Sequence, residues 1–297
     1  MKILVSGLLN IETTVSVREF PINYYPIDYP FFGVNSNVSG VGCNVAKALT
    51  ALGDSAELIS FLGNDEESER ILRDLGKFGI QTDKILRKLK STPVSVILFD
   101  TEGRRQVYCD LKDIQEQTAD PQRLIDTLKY VDAAVLCNIN FNRELIKTAR
   151  KLGTLTATDV HVLGDINDDY NRDFMENANI LFLSDERLPE SPETFIRHIY
   201  ERYHNEIIVI GMGAKGALLF DSSRQKISFV EAYRPKKIVN TVGAGDALFS
   251  SFLHFYTKCY DAEAALKRAV IFAGIKIGYN GASIGFCSEN EVEKLVR

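Results

Sequence analysis

Asn240-Thr241-Val242-Gly243-Ala244-Gly245-Asp246 runs directly into the apolar stretch Ala247-Leu248-Phe249. The apolar stretch reads as the opening of a helix. Gly243, Ala244 and Gly245 put almost no side chain in the way of an anion. Their backbone N–H groups sit where a helix N-terminus leaves donors unpaired and its dipole favours negative charge. Asp246 places a carboxylate at the same spot, which is an electrostatic cost unless the group has a task. The task that fits is to accept a proton from a hydroxyl attacking a phosphoryl group. The plainer reading is a glycine-rich loop entering a helix, with Asp246 near the capping positions.

Outward from this stretch the chain alternates strand-like and helix-like segments. Residues 3–7, 56–61, 133–137, 155–158, 180–183 and 207–210 are short apolar runs that read as strands. Between and after them, residues 45–52, 65–78, 121–128, 143–152, 169–177, 192–203, 244–256 and 262–279 read as helices. In 65–78, for example, Ile71, Leu72 and Leu75 share one face. This order predicts an α/β protein with a mostly parallel central sheet and helices on both faces. No internal repeat or low-complexity linker divides the chain, so 1–297 is expected to be a single domain.

Two stretches break the alternation. Residues 12–36 carry Val15, Val17, Phe20, Tyr24, Tyr25, Tyr29, Phe31 and Phe32 without helical spacing. Pro21, Pro26 and Pro30 exclude a helix there and suggest short edge strands. Residues 93–111 alternate at Val94, Val96 and Leu98, turn at Thr101-Glu102-Gly103 and continue through 106–109, which reads as a hairpin. The two β-rich stretches are expected to pair into one small sheet apart from the main one.

Gly211-Met212-Gly213-Ala214-Lys215-Gly216 matches a dinucleotide-binding fingerprint letter for letter and follows a strand. Such a site needs a helix next. Here the short apolar run 217–221 and a second turn follow, which makes a strand–turn–strand and disfavours a nicotinamide dehydrogenase.

Composition sets the broad class. The chain has 297 residues, 45% hydrophobic and 25% charged, in the usual globular balance. A net charge of −5 gives no reason to expect nucleic acid or an anionic membrane as a partner. The five cysteines, at 43, 109, 137, 259 and 287, are odd in number and form no Cys-x-x-Cys pair. They read as reduced, mostly buried thiols rather than a disulfide framework or a zinc site. No signal-peptide core and no membrane-length apolar run is present, so a cytoplasmic protein is expected.

Two motifs in order carry a family resemblance. The segment 240–246 closely resembles the second signature of the ribokinase-like (PfkB) carbohydrate kinases, written Asp-Thr-x-Gly-Ala-Gly-Asp. Ser39-Gly40-Val41-Gly42-Cys43-Asn44, leading into Val45-Ala46-Lys47-Ala48-Leu49, resembles the first, a Gly-Gly-x-x-x-Asn run opening a helix. The resemblance covers nearly the whole chain. It implies an ATP-dependent kinase for a hydroxyl of a sugar, sugar derivative or nucleoside, using magnesium. It also implies that the small sheet is a lid over the sugar site and possible contact of a homodimer.

The resemblance extends to further positions. Asp246 stands for the base, and Gly243, Ala244 and Gly245 for the anion hole. Glu12, after Asn10, lies where the family has a sugar-binding Asp; the alternative is a solvated charge at the base of the lid. Gly40, Gly42 and Asn44 match the first signature, although Asn44 also suits a helix cap. Asn138 and Asn140 end one strand, where α/β sites sit, but loop Asn is common turn material. Asp159 and His161 end the next, and a structural imidazole is the simpler reading of His161. Gly213 and Gly216 match a turn beside the ATP phosphates, with Gly211 in place of its Thr. Thr241 belongs with the same nucleotide site, and Ala273 and Lys276 are expected along the adenine pocket.

Two departures stand out. Ser184-Asp185-Glu186-Arg187 replaces the family's Asn-x-x-Glu, leaving Asp185 and Glu186 to reach magnesium through water. Asn240 replaces the Asp that helps relatives hold a monovalent cation; Gly281-Ala282-Ser283-Ile284-Gly285 resembles the loop that completes that site, but is read instead as bordering the adenine pocket with Ala273 and Lys276. Strict magnesium dependence and little potassium activation are therefore expected. The altered 184–187 stretch leaves one alternative, a catalytically weak family member that acts as a ligand-binding regulator.

Overall fold

The short apolar runs become strands that lie side by side and bury both faces. In a computed structural model describing residues 1–296, the main sheet has nine strands. They are β1 (Lys2–Ser6), β4 (Ser55–Leu62), β5 (Ile85–Arg87), β8 (Ala133–Leu136), β9 (Thr156–Val162), β10 (Ile180–Ser184), β11 (Ile207–Gly211), β12 (Gly216–Asp221) and β13 (Lys226–Glu231). Their order is β13-β12-β11-β10-β9-β8-β1-β4-β5. From β5 across to β11 each neighbouring pair is parallel, and β12 and β13 add an antiparallel edge.

Strand alternation divides the interior into two cores. Ile3 and Val5 of β1 face one layer and Leu4 the other. The first layer is made by α1 (Val41–Ala51), α2 (Glu66–Lys77), α7 (Ala244–Cys259), α8 (Ala262–Lys276) and α9 (Glu289–Glu293). The second is made by α3 (Ile125–Tyr130), α4 (Arg143–Leu152), α5 (Arg172–Asn177) and α6 (Pro192–Tyr203). Parallel strands covered on both faces need the continuous apolar runs that the sequence shows. Asp65 caps α2 through the Ser68 N–H at 3.0 Å, and Ser191 caps α6 with Pro192 in the first turn.

The two β-rich stretches pair with each other. β2 (Asn10–Ser16), β3 (Val34–Ser39), β6 (Val94–Phe99) and β7 (Arg105–Asp110) form a separate sheet in the order β3-β2-β6-β7. Residues 17–33 hold no strand, contrary to the short edge strands expected around Pro21, Pro26 and Pro30. Proline lacks the N–H that a ladder needs, and three in ten residues leave no room for a paired run. Tyr24, Tyr29, Phe31 and Phe32 of this segment are strongly exposed.

The sequence reading did not anticipate β5 and β13. β5 is three residues long, and β13 mixes charged and apolar residues as edge strands do. Residues 211–216 form a turn between the antiparallel strands β11 and β12, as expected, so no helix follows.

Candidate active site

The carboxyl end of β1 is the point where strand order reverses, since the chain first adds β4 and β5 on one side of β1 and then β8 to β11 on the other. Ligand crevices of open α/β sheets form at such switch points. There the chain leaves β1 through Gly7 and enters the small sheet at Asn10. α1 begins beside it, so close that a Cβ on Gly42 would lie 2.8 Å from the Gly7 carbonyl carbon. Only a glycine at 42 lets the two backbones meet.

α7 brings the second signature to the same place. Gly243 is its N-cap in the left-handed region, at φ 77°, and a Cβ there would sit 2.6 Å from the Ala282 carbonyl oxygen. Asp246, in the first turn, is buried and accepts a 2.6 Å hydrogen bond from Asn44 Nδ2 of α1. Asn44 Oδ1 accepts from the Ser39 hydroxyl at 3.3 Å, and that hydroxyl also lies 3.0 Å from Glu12 Oε2. Asn10 donates to Ser95 Oγ at 2.9 Å. Asp246, Asn44, Ser39 and Glu12 therefore form one connected polar network that joins both signatures to β2, with Asn10 and Ser95 as a separate pair on the same sheet. Asn44 is no helix cap, because the N-cap of α1 is Gly40.

These groups are short of partners. Glu12 Oε1 and Asn10 Oδ1 are buried with no hydrogen bond among the described residues. Buried polar atoms are nearly always paired, so these two suit hydroxyl donors of a ligand.

Burial dominates the electrostatics. It pushes the Asp246 carboxyl above the ordinary aspartate range, against the opposing pull of His161, the Asn44 hydrogen bond and Lys276. Asp159 adds to the upward push. Burial likewise raises the Glu12 carboxyl, opposed by the Ser39 hydroxyl. Lys276 has no exposed surface. Desolvation brings its ammonium down to about 8, although Asp246 and Glu12 favour its charge. Its Nζ donates to the Val242 carbonyl.

Of the Gly243, Ala244 and Gly245 N–H groups, that of Ala244 donates to the Thr241 carbonyl at 3.1 Å. Those of Gly243 and Gly245 have no protein acceptor among the described residues. A Cβ on Gly245 would meet nothing within 4 Å. The turn is thus open on one side and carries unused donors.

A cavity of about 220 Å³ opens at the carboxyl ends of β8 and β9, its lining including Leu8, Val41, Asn138, His161 and Tyr170. Asn138 is held by a 3.0 Å hydrogen bond to Asn171 Oδ1, whereas Asn140 binds the Gln115 backbone. His161 had the simpler reading of a structural imidazole. Instead it lines the cavity at a positive φ of 61°. Its place at the carboxyl end of β9 is the available signal.

The remaining candidates lie around the rim. The turn with Gly213 and Gly216 sits near α7, with Leu248 Cδ2 3.7 Å from a Cβ built on neighbouring Gly211. Thr241 is exposed and Ala273 half-buried. Asp185 Oδ2 is 3.9 Å from Lys215 Nζ, and Glu186 Oε1 is 3.5 Å from Arg105 of β7. No cluster of three or more metal-ligating side chains occurs among the described residues. No helix there is long and apolar enough to cross a membrane. Cys43, Cys137 and Cys287 are buried, Cys109 and Cys259 are exposed, and all five are free.

The crevice at the switch point thus holds a buried aspartate in the first turn of α7, beside two unused backbone donors. Comparison with known proteins gives the family: residues 2–289 match the pfkB family of carbohydrate kinases, and the chain belongs to that family. It is an ATP-dependent phosphotransferase with an alcohol acceptor, of the sugar and nucleoside kinase group. The deoxyribokinase of Salmonella typhi is 25% identical over 305 residues, covering 97% of this chain and 96% of the relative. The ATP-dependent ribose-1-phosphate kinase of Halopiger xanaduensis is 24% identical over 290 residues, covering 95% and 94%. Among solved structures, the microbiome-derived acarbose kinase Mak1 superposes with a TM-score of 0.87. It is 22% identical, with 99% of this chain and 98% of that one covered.

Proposed function

We propose that the protein transfers the γ-phosphoryl group of ATP to a hydroxyl of a sugar, sugar derivative or nucleoside seated between β2 and the cavity at His161. The observation that carries this reading is Asp246, buried, fixed by Asn44, and adjacent to the free N–H groups of Gly243 and Gly245. Asp246 takes the proton of the acceptor hydroxyl. The acceptor oxygen bonds to the γ-phosphorus as the bond to the β–γ bridging oxygen breaks, releasing ADP. The Gly243 and Gly245 amides stabilise charge on the phosphoryl oxygens in flight. Ala244 contributes by closing the turn onto Thr241.

Glu12, Asn10, Asn44 and Asn138 are the groups placed to bind acceptor hydroxyls, with Gly40 and Gly42 holding the backbone close. The turn at Gly213 and Gly216, with Thr241 and Ala273, borders the nucleotide. Asp185 and Glu186 would hold magnesium through water, since magnesium keeps several waters when substrate phosphates supply its other ligands, and the ion would supply charge neutralisation for the ATP phosphates. The reading is tested by ATP turnover against ribose, deoxyribose, ribose 1-phosphate, other sugars and nucleosides. No phosphorylated product from any of them defeats it.

The pH profile follows from the burial of Asp246. A base works only when ionised, and its raised pKa means that ionisation is lost as pH falls through a value above the ordinary aspartate range. The acid limb of kcat/KM is expected there. Asn44→Ala removes a hydrogen bond to the ionised form and moves the limb to still higher pH. A wild-type limb at or below the ordinary aspartate value contradicts the assignment.

The small sheet is the proposed lid, because β2 supplies Glu12 and β6 supplies Ser95 to the site's hydrogen bonds. Its exposed Val34, Val96, Val107 and Tyr108, with the aromatic segment beside them, are the proposed contact between two copies of the chain. Light scattering after size-exclusion chromatography checks this, with a monomer at micromolar concentration counting against it.

A further inference from the structure

Lys276 is the residue that the proposed mechanism leaves unexplained. It ends α8 and has no exposed surface. Among the described residues the other fully buried lysine, Lys47, is paired with Asp74 at 2.5 Å. Lys276 has no carboxylate at ion-pair distance there, and its ammonium is held by the Val242 carbonyl. An isolated buried ammonium costs several kcal/mol after relaxation. The C-terminal dipole of α8 offsets part of that cost. A methionine of similar length would avoid the cost altogether, so the charge at this position calls for a use.

The surroundings indicate the use. Val242 leads into the anion-binding turn, and the turn packs on the loop after α8. Asn240 Nδ2 donates to Asn280 Oδ1 at 2.6 Å, and Asn240 Oδ1 accepts from the Val242 N–H at 3.2 Å. The Val239 and Asn240 N–H groups donate to the Ile277 carbonyl, one residue past Lys276. Val242, Ala282 and Ile97 of β6 form a small apolar cluster that joins turn, loop and small sheet. The ammonium, bound to the Val242 carbonyl, therefore sits at the seam where these three meet and within electrostatic reach of both Asp246 and Glu12. An ammonium bound to a backbone carbonyl is, chemically, a tethered equivalent of a weakly hydrated monovalent cation.

We propose that Lys276 is a built-in monovalent cation, a positioning residue that fixes the 240–245 turn and supplies positive charge behind the transferring phosphoryl group. It makes the enzyme indifferent to free potassium. The inference rests on the kinase reading for its catalytic consequence, but not for its structural one. Lys276 touches neither the acceptor nor ATP; it acts through the turn and through the charge balance with Asp246 and Glu12.

The experiment compares wild type with Lys276→Ala, which leaves room for an ion, and Lys276→Met, which fills the space. Turnover with the best acceptor of the panel and the melting temperature are each measured in potassium chloride, ammonium chloride and tetramethylammonium chloride at equal ionic strength. Wild type is expected to change less than ~2-fold across the three salts, since its cation is already in place. Lys276→Ala in tetramethylammonium is expected to lose at least ~10-fold in kcat, with a smaller change in KM for ATP. Potassium or ammonium restores part of that loss and raises the alanine variant's melting temperature, but does neither for Lys276→Met.

A wild type that needs potassium overturns the proposal, as does an alanine variant with wild-type kcat. A loss with no cation-specific recovery in rate or melting temperature overturns it too. If wild type phosphorylates nothing, the kinase reading fails and the melting arm still decides the cation. If neither variant folds, the salt response of wild type decides it.

Discussion

Asp246→Asn is expected to lower kcat by at least ~10²-fold, the low end for removal of a general base, with ATP binding largely retained. Asparagine preserves the shape and can still accept a hydrogen bond from Asn44, so the turn at Gly243–Gly245 keeps its geometry. What it loses is the ability to take the proton of the acceptor hydroxyl. Because burial already raises the Asp246 pKa, the native carboxylate is a stronger base than an exposed aspartate, and the loss falls on the chemical step. Steady-state kinetics and an ATP titration check this. A mutant with near wild-type kcat removes Asp246 from its assigned role.

Withdrawal of magnesium is expected to abolish turnover. Phosphoryl transfer places charge on oxygens that a divalent ion must bridge, and the protein offers few fixed ligands of its own. Asp185 and Glu186 lie on the rim beside Lys215 and Arg105, which suits contact through water rather than a protein cage. Turnover is measured with EDTA and again after magnesium is restored. Full activity in EDTA defeats the mechanism, whereas activity in magnesium shows that the altered 184–187 stretch suffices.

Much of the candidate site is legible in the sequence because its residues are consecutive. The turn at 240–246 requires small residues and a carboxylate within one helical turn, and those appear as consecutive letters. α4 and α6 fell at the expected residues because amphipathic spacing and an N-terminal Ser-Pro are local signals as well. The helix expected over 262–279 ends instead at Lys276, where Gly278 and the loop beyond it take over. Residues 17–33 carried β-rich composition but no strand, since composition alone does not provide a hydrogen-bonding partner.

Sequence alone determined the βα order, the two signatures and the strand–turn–strand at 211–216, and it singled out Asp246 as the candidate base. Each of these is written in a window of a few residues, where backbone propensity and side-chain chemistry act without distant help. Tertiary structure decided the rest. It brought Glu12, Ser39, Asn44 and Asp246 into one hydrogen-bonded network and turned His161 from a simple structural candidate into part of the cavity wall. It also buried Lys276 completely and set its ammonium against the Val242 carbonyl, 34 residues away in the chain. Those outcomes depend on burial and on contacts between residues far apart in the chain, and desolvation sets their charges. Neither quantity exists until the layers have packed.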